Sequence, residues 1–158
     1  MRRQTLMAVA AGVMIVGAGV AIFLQARELM GPGAGKSFFT VDDGKTFFVD
    51  SSDKIPPFER GGQQAYRAHV FECGGKRVVG YLSRFTPEAI AALREAAKYK
   101  GTGKPPPNVG VLSSIGTTGL QVKRPGEAAW VMQGDVRRAT AVRVFRCADG
   151  STPQEVDP

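Results

Sequence analysis

The hydrophobic and polar positions of this chain divide it into one long apolar run and a series of shorter, alternating segments. The run, Thr5–Leu24, contains no Asp, Glu, Lys, Arg or His. About 20 apolar helical residues cross the hydrocarbon core of a bilayer, and a helix satisfies its own backbone hydrogen bonds there. The pattern therefore predicts an N-terminal transmembrane helix within residues 1–30, with its span at 5–24. A glycine-rich hinge at 31–36 follows it.

The charges beside the apolar run predict its orientation. Arg2 and Arg3 precede it, and the positive-inside rule keeps such residues in the cytoplasm. We therefore expect a single-pass protein of the bacterial inner membrane whose larger part is extracytoplasmic. A cleaved signal peptide is the competing interpretation, because Gly19-Val20-Ala21 offers small residues to signal peptidase. Apolar residues continue through 22–24, which favours a retained signal anchor.

The residues after the hinge have the short periods of a small mixed domain, predicted at 37–147. Two aromatic and β-branched segments flank Asp42-Asp43-Gly44, which predicts a β-hairpin. Residues Pro87–Lys100 are rich in alanine and have apolar positions at helical spacing, and Thr86 is suited to cap their start. Further strands are predicted at 64–73, 77–85, 109–112, 120–123, 128–133 and 139–147.

These elements predict an α+β fold in which an antiparallel sheet of about five to seven strands packs against one main helix. The connection 100–119 is long and rich in glycine and proline, a composition typical of mobile or functional loops. The polar residues 148–158 predict a disordered tail.

The chain has a net charge of +7, but the distribution of its charges argues against a nucleic-acid partner. Its basic residues are scattered among acidic ones, whereas nucleic-acid binding needs a concentrated basic stripe. We therefore expect the lipid bilayer and a protein of the envelope as partners, and no nucleic acid. The composition leaves the oligomeric state open.

Two cysteines, Cys73 and Cys147, bear on the compartment. In an oxidising compartment such a pair indicates one disulfide, which on the chain-entropy model would add roughly 4 kcal/mol of stability. Each cysteine ends a similar segment, since His69-Val70-Phe71-Glu72 precedes the first and Arg143-Val144-Phe145-Arg146 the second. Adjacent strands with matched ends would bring the two sulfurs together. Two buried reduced thiols are the alternative.

Motifs for catalysis or cofactor binding are weak in this chain. Gly31–Ser37 has the glycines and lysine of a phosphate-binding loop, but its glycine spacing is one residue short and a strand follows it. His69 is the sole histidine and has no partner motif beside it, whereas zinc sites and nucleophilic triads need oriented companions. We therefore predict no catalytic residue, no metal ligand and no cofactor.

The motif Thr40-x-Asp42-x-Gly44-x-Thr46-Phe47 resembles the Asp-box of bacterial sialidases and related β-propellers. In that family the motif is a structural hairpin remote from catalysis. The resemblance therefore implies a hairpin and nothing about activity.

Four longer segments, Phe38–Phe48, Ile55–Phe58, Tyr81–Glu88 and Arg124–Val131, are similar to an uncharacterised group of short bacterial single-span membrane-anchored proteins. The resemblance covers most of the chain after the span. It implies the same anchor and domain order, and the group has no activity to carry over.

These observations favour a non-enzymatic, membrane-anchored envelope protein that acts as an accessory or protein-interaction subunit. A small extracytoplasmic enzyme or ligand-binding domain is the alternative, suggested by His69, the carboxylates and the long connection. A pseudopilin-like secretion component ranks lower, because the prepilin peptidase signature is missing. The candidate partner surface combines aromatic and proline side chains, which are frequent at interfaces: Tyr99, Pro105, Pro106, Pro107 and Trp130.

Overall fold

Antiparallel strand pairing dominates the computed structural model, which describes residues 35–158. The predicted membrane segment and most of the hinge lie outside the described residues. Within 35–158 a sheet packs against short helices, so the predicted α+β class is confirmed for this domain. Among these residues no helix has both the length and the apolar composition to cross a bilayer.

The described residues form eight strands in one sheet, with β2-β1-β4-β5-β6-β7 as its main order. Both β3 and β8 pair with the long strand β4, outside that order. The hairpin predicted around Asp42-Asp43-Gly44 is confirmed as the β1–β2 pair. The strands are β1 Lys36–Thr40, β2 Phe48–Ser51, β3 Phe58–Arg60, β4 Gln63–Cys73, β5 Lys76–Phe85, β6 Leu120–Lys123, β7 Val131–Met132 and β8 Gln154–Val156.

The main helix, α1 Pro87–Ala97, forms where the sequence predicts it and ends one turn earlier. The Thr86 hydroxyl accepts a hydrogen bond from the Ala89 amide at 3.3 Å, which satisfies one of the free N–H groups at the helix start. Proline at the first position and Glu88 in the first turn suit the same end.

Two further helices, α2 Val109–Thr118 and α3 Val136–Arg143, correct the sequence prediction. The strand predicted at 109–112 is wrong, because it is the first turn of α2, which buries Ile115. The strand predicted at 139–147 is wrong as well. Asp135 caps α3 by accepting a hydrogen bond from the Arg138 amide, and Ala139 and Val142, three residues apart, face the core together. The strand predicted at 128–133 shortens to β7.

Strands β4 and β5 separate two packed layers of side chains. The helix face bears Arg67, His69, Phe71, Tyr81 and Ser83, and its apolar cluster includes residues of α3. The tryptophan face is the opposite side of the same strands. Its cluster contains Phe38, Ala68, Val70 and Leu82, with Trp130 packed against them.

A bulge in the β4–β5 hairpin determines which residues of β5 lie opposite those of β4 on the helix face. Gly74 and Gly75 form the predicted turn with φ of 54° and 79°, values that glycine adopts without strain. The register shifts between His69 and Val70, which places Tyr81 opposite His69. A Cβ at Gly80 would lie 2.6 Å from the Phe71 ring, so this bulge position needs glycine.

The C-terminal residues are ordered by the same strand, so the disordered tail predicted at 148–158 is wrong for its last part. Val156 and Glu155 of β8 pair with Val70 and Phe71 of β4. The pairing satisfies backbone groups on the stretch of β4 that β1 leaves free.

Cys73 and Cys147 form a disulfide with a Cα–Cα distance of 5.5 Å. The predicted pairing is therefore present, although Cys147 follows α3 rather than ending a strand. The bridge fixes the chain after α3 to the end of β4.

The β1–β2 turn is fixed by its two aspartates. Asp42 accepts hydrogen bonds from the Thr46 amide at 2.9 Å and hydroxyl at 2.6 Å, which hold the pKa of its carboxyl at about 2. Asp43 accepts hydrogen bonds from the buried Lys123 ammonium and from the Gly126 amide. The hairpin turn is therefore tied to the end of β6, a structural role that fits the Asp-box resemblance.

Candidate functional site

The helix face contains a cavity of about 380 Å³ between the sheet and the helices. Strands β4 and β5 supply polar groups from its floor, and α3 supplies another from its last turn. Apolar side chains complete one wall. The residues that matter for its chemistry are Arg67, His69, Ser83 and Arg143, and the apolar wall contains Phe85, Leu93 and Leu120.

Arg67 and Arg143 bring two positive charges to this cavity without a carboxylate partner. Within residues 35–158 neither guanidinium forms an ion pair. One Nη of Arg67 donates to the Ser52 carbonyl at 3.0 Å, while the buried Nε atoms of both arginines have no hydrogen-bond partner among the described residues. Burial lowers the pKa of Arg67. Its charge is therefore poorly hydrated and incompletely bonded, an arrangement that proteins seldom leave uncompensated.

His69 lies between these cations and a carboxylate from the C-terminal strand. Its Nδ1 is 2.8 Å from Glu155 Oε1, and its Nε2 is 3.0 Å from Ser83 Oγ. The ring stacks on Tyr81 with centroids 3.9 Å apart and planes within 9°. Because a carboxylate only accepts, the Nδ1 nitrogen is assigned the proton, which leaves Nε2 to accept the Ser83 hydroxyl.

The pKa of His69 is lowered, chiefly because the ring is buried. Glu155 acts in the opposite direction, and the charges of Arg67 and Arg143 lower the pKa further. The imidazole is therefore neutral at pH 7 and can act as a base. Burial also raises the pKa of Tyr81 to about 12, so its phenol is protonated throughout the physiological range.

The cavity carries charges of both signs. Asp53 and Lys54 line it, and the Lys54 ammonium is 2.7 Å from Asp50. Two arginines, one lysine and one aspartate therefore line the cavity, which gives its lining a net positive charge. This field favours an anionic guest.

A second and more open groove of about 750 Å³ lies beside α3 and contrasts with this cavity. It is lined by two arginines: Arg146 is exposed to solvent, and the Arg124 guanidinium donates to the carbonyls of Ala141 and Val144 at 2.5 and 3.3 Å. Arg124 therefore satisfies the C-terminal end of α3, as basic side chains commonly do.

The partner surface predicted from the sequence divides between separate elements. Trp130 packs on Tyr66, with ring centroids 5.2 Å apart, and the Arg84 guanidinium lies 4.3 Å from its ring centre. These contacts place Trp130 on the tryptophan face. Tyr99 and Pro105–Pro107 lie in the α1–α2 connection.

Sequence reasoning singled out His69 but missed Ser83, Glu155, Arg67 and Arg143. One signal was available, because a turn at Gly74-Gly75 places His69 opposite residue 80 or 81 and therefore near Ser83. The position of Glu155 could not be predicted, since its segment has the polar composition of a disordered tail. Arg143 was assigned to a strand rather than to α3, which hid its position.

No three potential metal-ligating side chains come together within residues 35–158. No family model, curated protein or solved structure matches this chain at a significant level. Membership of the group of single-span proteins therefore stays a prediction, and the functional argument depends on the geometry of the cavity.

Proposed function

We propose that this chain is a single-pass, membrane-anchored envelope protein whose extracytoplasmic domain binds a small anionic ligand in the cavity of the helix face. Residues 5–24 would be the anchor. A ligand-binding domain held at the membrane suits an accessory subunit of an envelope assembly, the role that the sequence favours. This proposed role is ligand binding and does not require the domain to catalyse a reaction.

The observation that carries the proposal is that two arginines lining one cavity have buried Nε atoms without a partner among residues 35–158. Both arginines are half-buried, and a buried N–H group left without an acceptor costs about 1–3 kcal/mol, which native proteins offset with a hydrogen-bond partner or a ligand. Arg67 and Arg143 come from different elements, β4 and α3, and their side chains line the same space. An anion in the cavity would accept hydrogen bonds from guanidinium N–H groups of both arginines.

The chemistry of the walls narrows the ligand class. Guanidinium N–H groups bind carboxylate and phosphate oxygens in directed pairs. Phe85, Leu93 and Leu120 offer an apolar wall to the remainder of the molecule. A cavity of about 380 Å³ lies at the small end of ligand sites. The expected ligand is therefore a small organic carboxylate or phosphate with one apolar group.

Binding is tested on the full chain in detergent micelles, with sodium benzoate and phenyl phosphate as probes. His69 is the sole histidine, so its ring resonance in an NMR titration reports directly on the cavity. We expect saturable shifts with benzoate, phenyl phosphate or both. Arg143→Gln should weaken binding about 10-fold, which corresponds to about 1.4 kcal/mol for a lost charged hydrogen bond.

Arg137→Gln is the matched control, because Arg137 is exposed on the same helix and does not line the cavity. It should leave the affinity unchanged. An equal loss of affinity in both variants would mean that general surface charge, and not the cavity, causes the binding. Absence of any saturable shift with either probe would contradict the proposal.

The anchor is tested separately by adding protease to intact spheroplasts. Digestion of the domain outside the membrane is the expected result. Protection in intact spheroplasts, with digestion only after lysis, would contradict the proposed topology. The mass of the mature N-terminus distinguishes a retained anchor from a cleaved signal peptide.

A further inference from the structure

The cavity of the helix face contains a chain of hydrogen bonds that ligand binding does not require. Glu155, His69 and Ser83 follow one another in that order, with distances of 2.8 and 3.0 Å. An acid that orients an imidazole, and an imidazole that accepts from a hydroxyl, are the parts that activate a serine nucleophile. Such arrangements are identified by geometry and not by sequence position.

Three different strands hold these residues, and the sheet fixes their positions. Ser83 is directly opposite Arg67 in the β4–β5 register, and His69 is two residues further along β4 on the same face. Glu155 reaches His69 because β8 pairs with the far half of β4. The imidazole is further held by its stacking on Tyr81. A scaffold of paired strands gives this precision more readily than loops do.

We propose that Ser83 is a nucleophile and that the domain hydrolyses small carboxylic esters that carry an anionic group. The substrate class follows from the proposed function, on which this inference rests. Arg67 or Arg143 would bind the anionic group, and the ester carbon would lie at the Ser83 hydroxyl. Ser83 is only 5% exposed and lines the cavity, so the cavity is its route to a substrate.

The reaction balances with water as its only co-reactant. Ser83 Oγ forms a bond to the ester carbon while His69 Nε2 takes the hydroxyl proton. The C–O bond to the alcohol then breaks, and His69 returns the proton to the leaving oxygen. Water attacks the acyl-serine with His69 again as base, which releases the acid and restores Ser83. The guanidinium that is not bound to the substrate's anionic group offers its N–H groups to the negative charge that develops on the ester oxygen.

Glu155 is a positioning residue in this scheme, since it acts through His69. It holds the tautomer in which Nε2 is free to accept a proton. General bases contribute about 10²- to 10⁴-fold to such reactions, so His69→Gln should lower the rate by about that factor. Glu155→Gln should lower it less and move the pH dependence of the rate to lower pH, because Glu155 raises the pKa of His69.

The test uses diisopropyl fluorophosphate, a neutral probe, on the full chain in detergent micelles. Serine displaces fluoride from phosphorus, and the adduct is located by tandem mass spectrometry of the unmodified sequence. We expect one adduct, on Ser83, that is absent in Ser83→Ala and slowed about 100-fold or more in His69→Gln. Ser113→Ala is the control, because Ser113 is an exposed hydroxyl on α2.

Hydrolysis of 4-nitrophenyl hemisuccinate should exceed that of 4-nitrophenyl acetate by about 10-fold in kcat/KM, the factor that corresponds to about 1.4 kcal/mol. Arg143→Gln should remove this preference. Wild-type protein without an adduct, or with an adduct on another residue, would overturn the nucleophile proposal. Benzoate binding that persists in Ser83→Ala would leave the binding proposal standing by itself, so the two failures are distinguishable.

Discussion

The cationic side chains on the two faces of the β4–β5 pair differ in their hydrogen-bond partners. On the tryptophan face, the buried Lys123 ammonium donates to Asp43 and to the Glu127 carbonyl, and the Arg84 Nε donates to Gln121 at 2.9 Å. On the helix face, Arg67 and Arg143 have buried Nε atoms without partners in the part of the chain described. Arg67 and Arg84 belong to the shared strands β4 and β5, whereas Lys123 and Arg143 come from β6 and α3.

The contrast separates cations that stabilise the fold from cations that are available to a ligand. A buried lysine that donates to a carboxylate and to a carbonyl fixes one arrangement of the hairpin turn against β6. A half-buried guanidinium whose Nε lacks an acceptor among the described residues would gain hydrogen bonds from an anionic ligand. The unsatisfied groups, and not the size of the groove, therefore identify the site.

Removing the disulfide is expected to disturb the helix face most. Replacing Cys73 and Cys147 together by serine frees the chain after α3, which supplies Arg143 to the cavity. The bridge spans 74 residues, so its loss should lower the free energy of unfolding by about 4 kcal/mol. Urea denaturation of the full chain in micelles measures this, with and without reductant. Reductant should destabilise the wild type and leave the double variant unchanged. An unchanged wild-type midpoint in reductant would contradict a structural role for the bridge.

Leu82 and Ser83 allow the faces to be compared at adjacent positions. Leu82 is fully buried on the tryptophan face, so Leu82→Ala should cost about 3 kcal/mol of stability. Ser83→Ala should cost about 1 kcal/mol or less, because it removes one hydrogen bond to His69. Denaturation curves give the two stabilities, and benzoate titration should show similar affinity in both folded variants. Comparable losses of stability would mean that the helix face depends on Ser83 for packing.

Protonation of His69 should produce the smallest effect and confine it to the helix face. Its folded-state pKa lies below the ordinary 6.5 because of burial, so the unfolded chain binds the proton first as the pH falls. Stability is then complete above pH 6.5 and declines below it, by no more than about 1.4 kcal/mol per pH unit for one proton. Stability stops declining once His69 is protonated in the folded protein as well.

NMR titration of the single histidine ring measures this pKa directly. Arg143→Gln removes a cation near the ring and should raise the pKa, whereas Glu155→Gln removes the carboxylate that raises it and should lower it. A wild-type pKa at or above 6.5 would contradict the buried environment of the ring.

The sequence predicted the elements whose local signals agree with their final environment. The β1–β2 hairpin follows from Asp42-Asp43-Gly44, the β4–β5 turn from Gly74-Gly75, and α1 from the cap at Thr86. In each case turn or cap chemistry is coded within a few residues. Tertiary packing was not needed to recognise it.

The elements that were missed depend on tertiary contacts. Residues 139–147 alternate as a strand does, but the cap at Asp135 and the burial of Ala139 and Val142 favour a helix. The site combines this helix, two central strands and the C-terminal strand. Of the residues in the site, only His69 was singled out from the sequence, because it is the sole histidine of the chain.

The pairing of β8 has a consequence for how the protein matures. His69 and Glu155 are separated by 86 positions, so a growing chain exposes the imidazole long before the ribosome adds its carboxylate. Nascent or C-terminally clipped molecules would hold both arginines and the serine, yet leave the imidazole without its orienting partner. The site is therefore assembled only after β8 has been synthesised and has paired with β4.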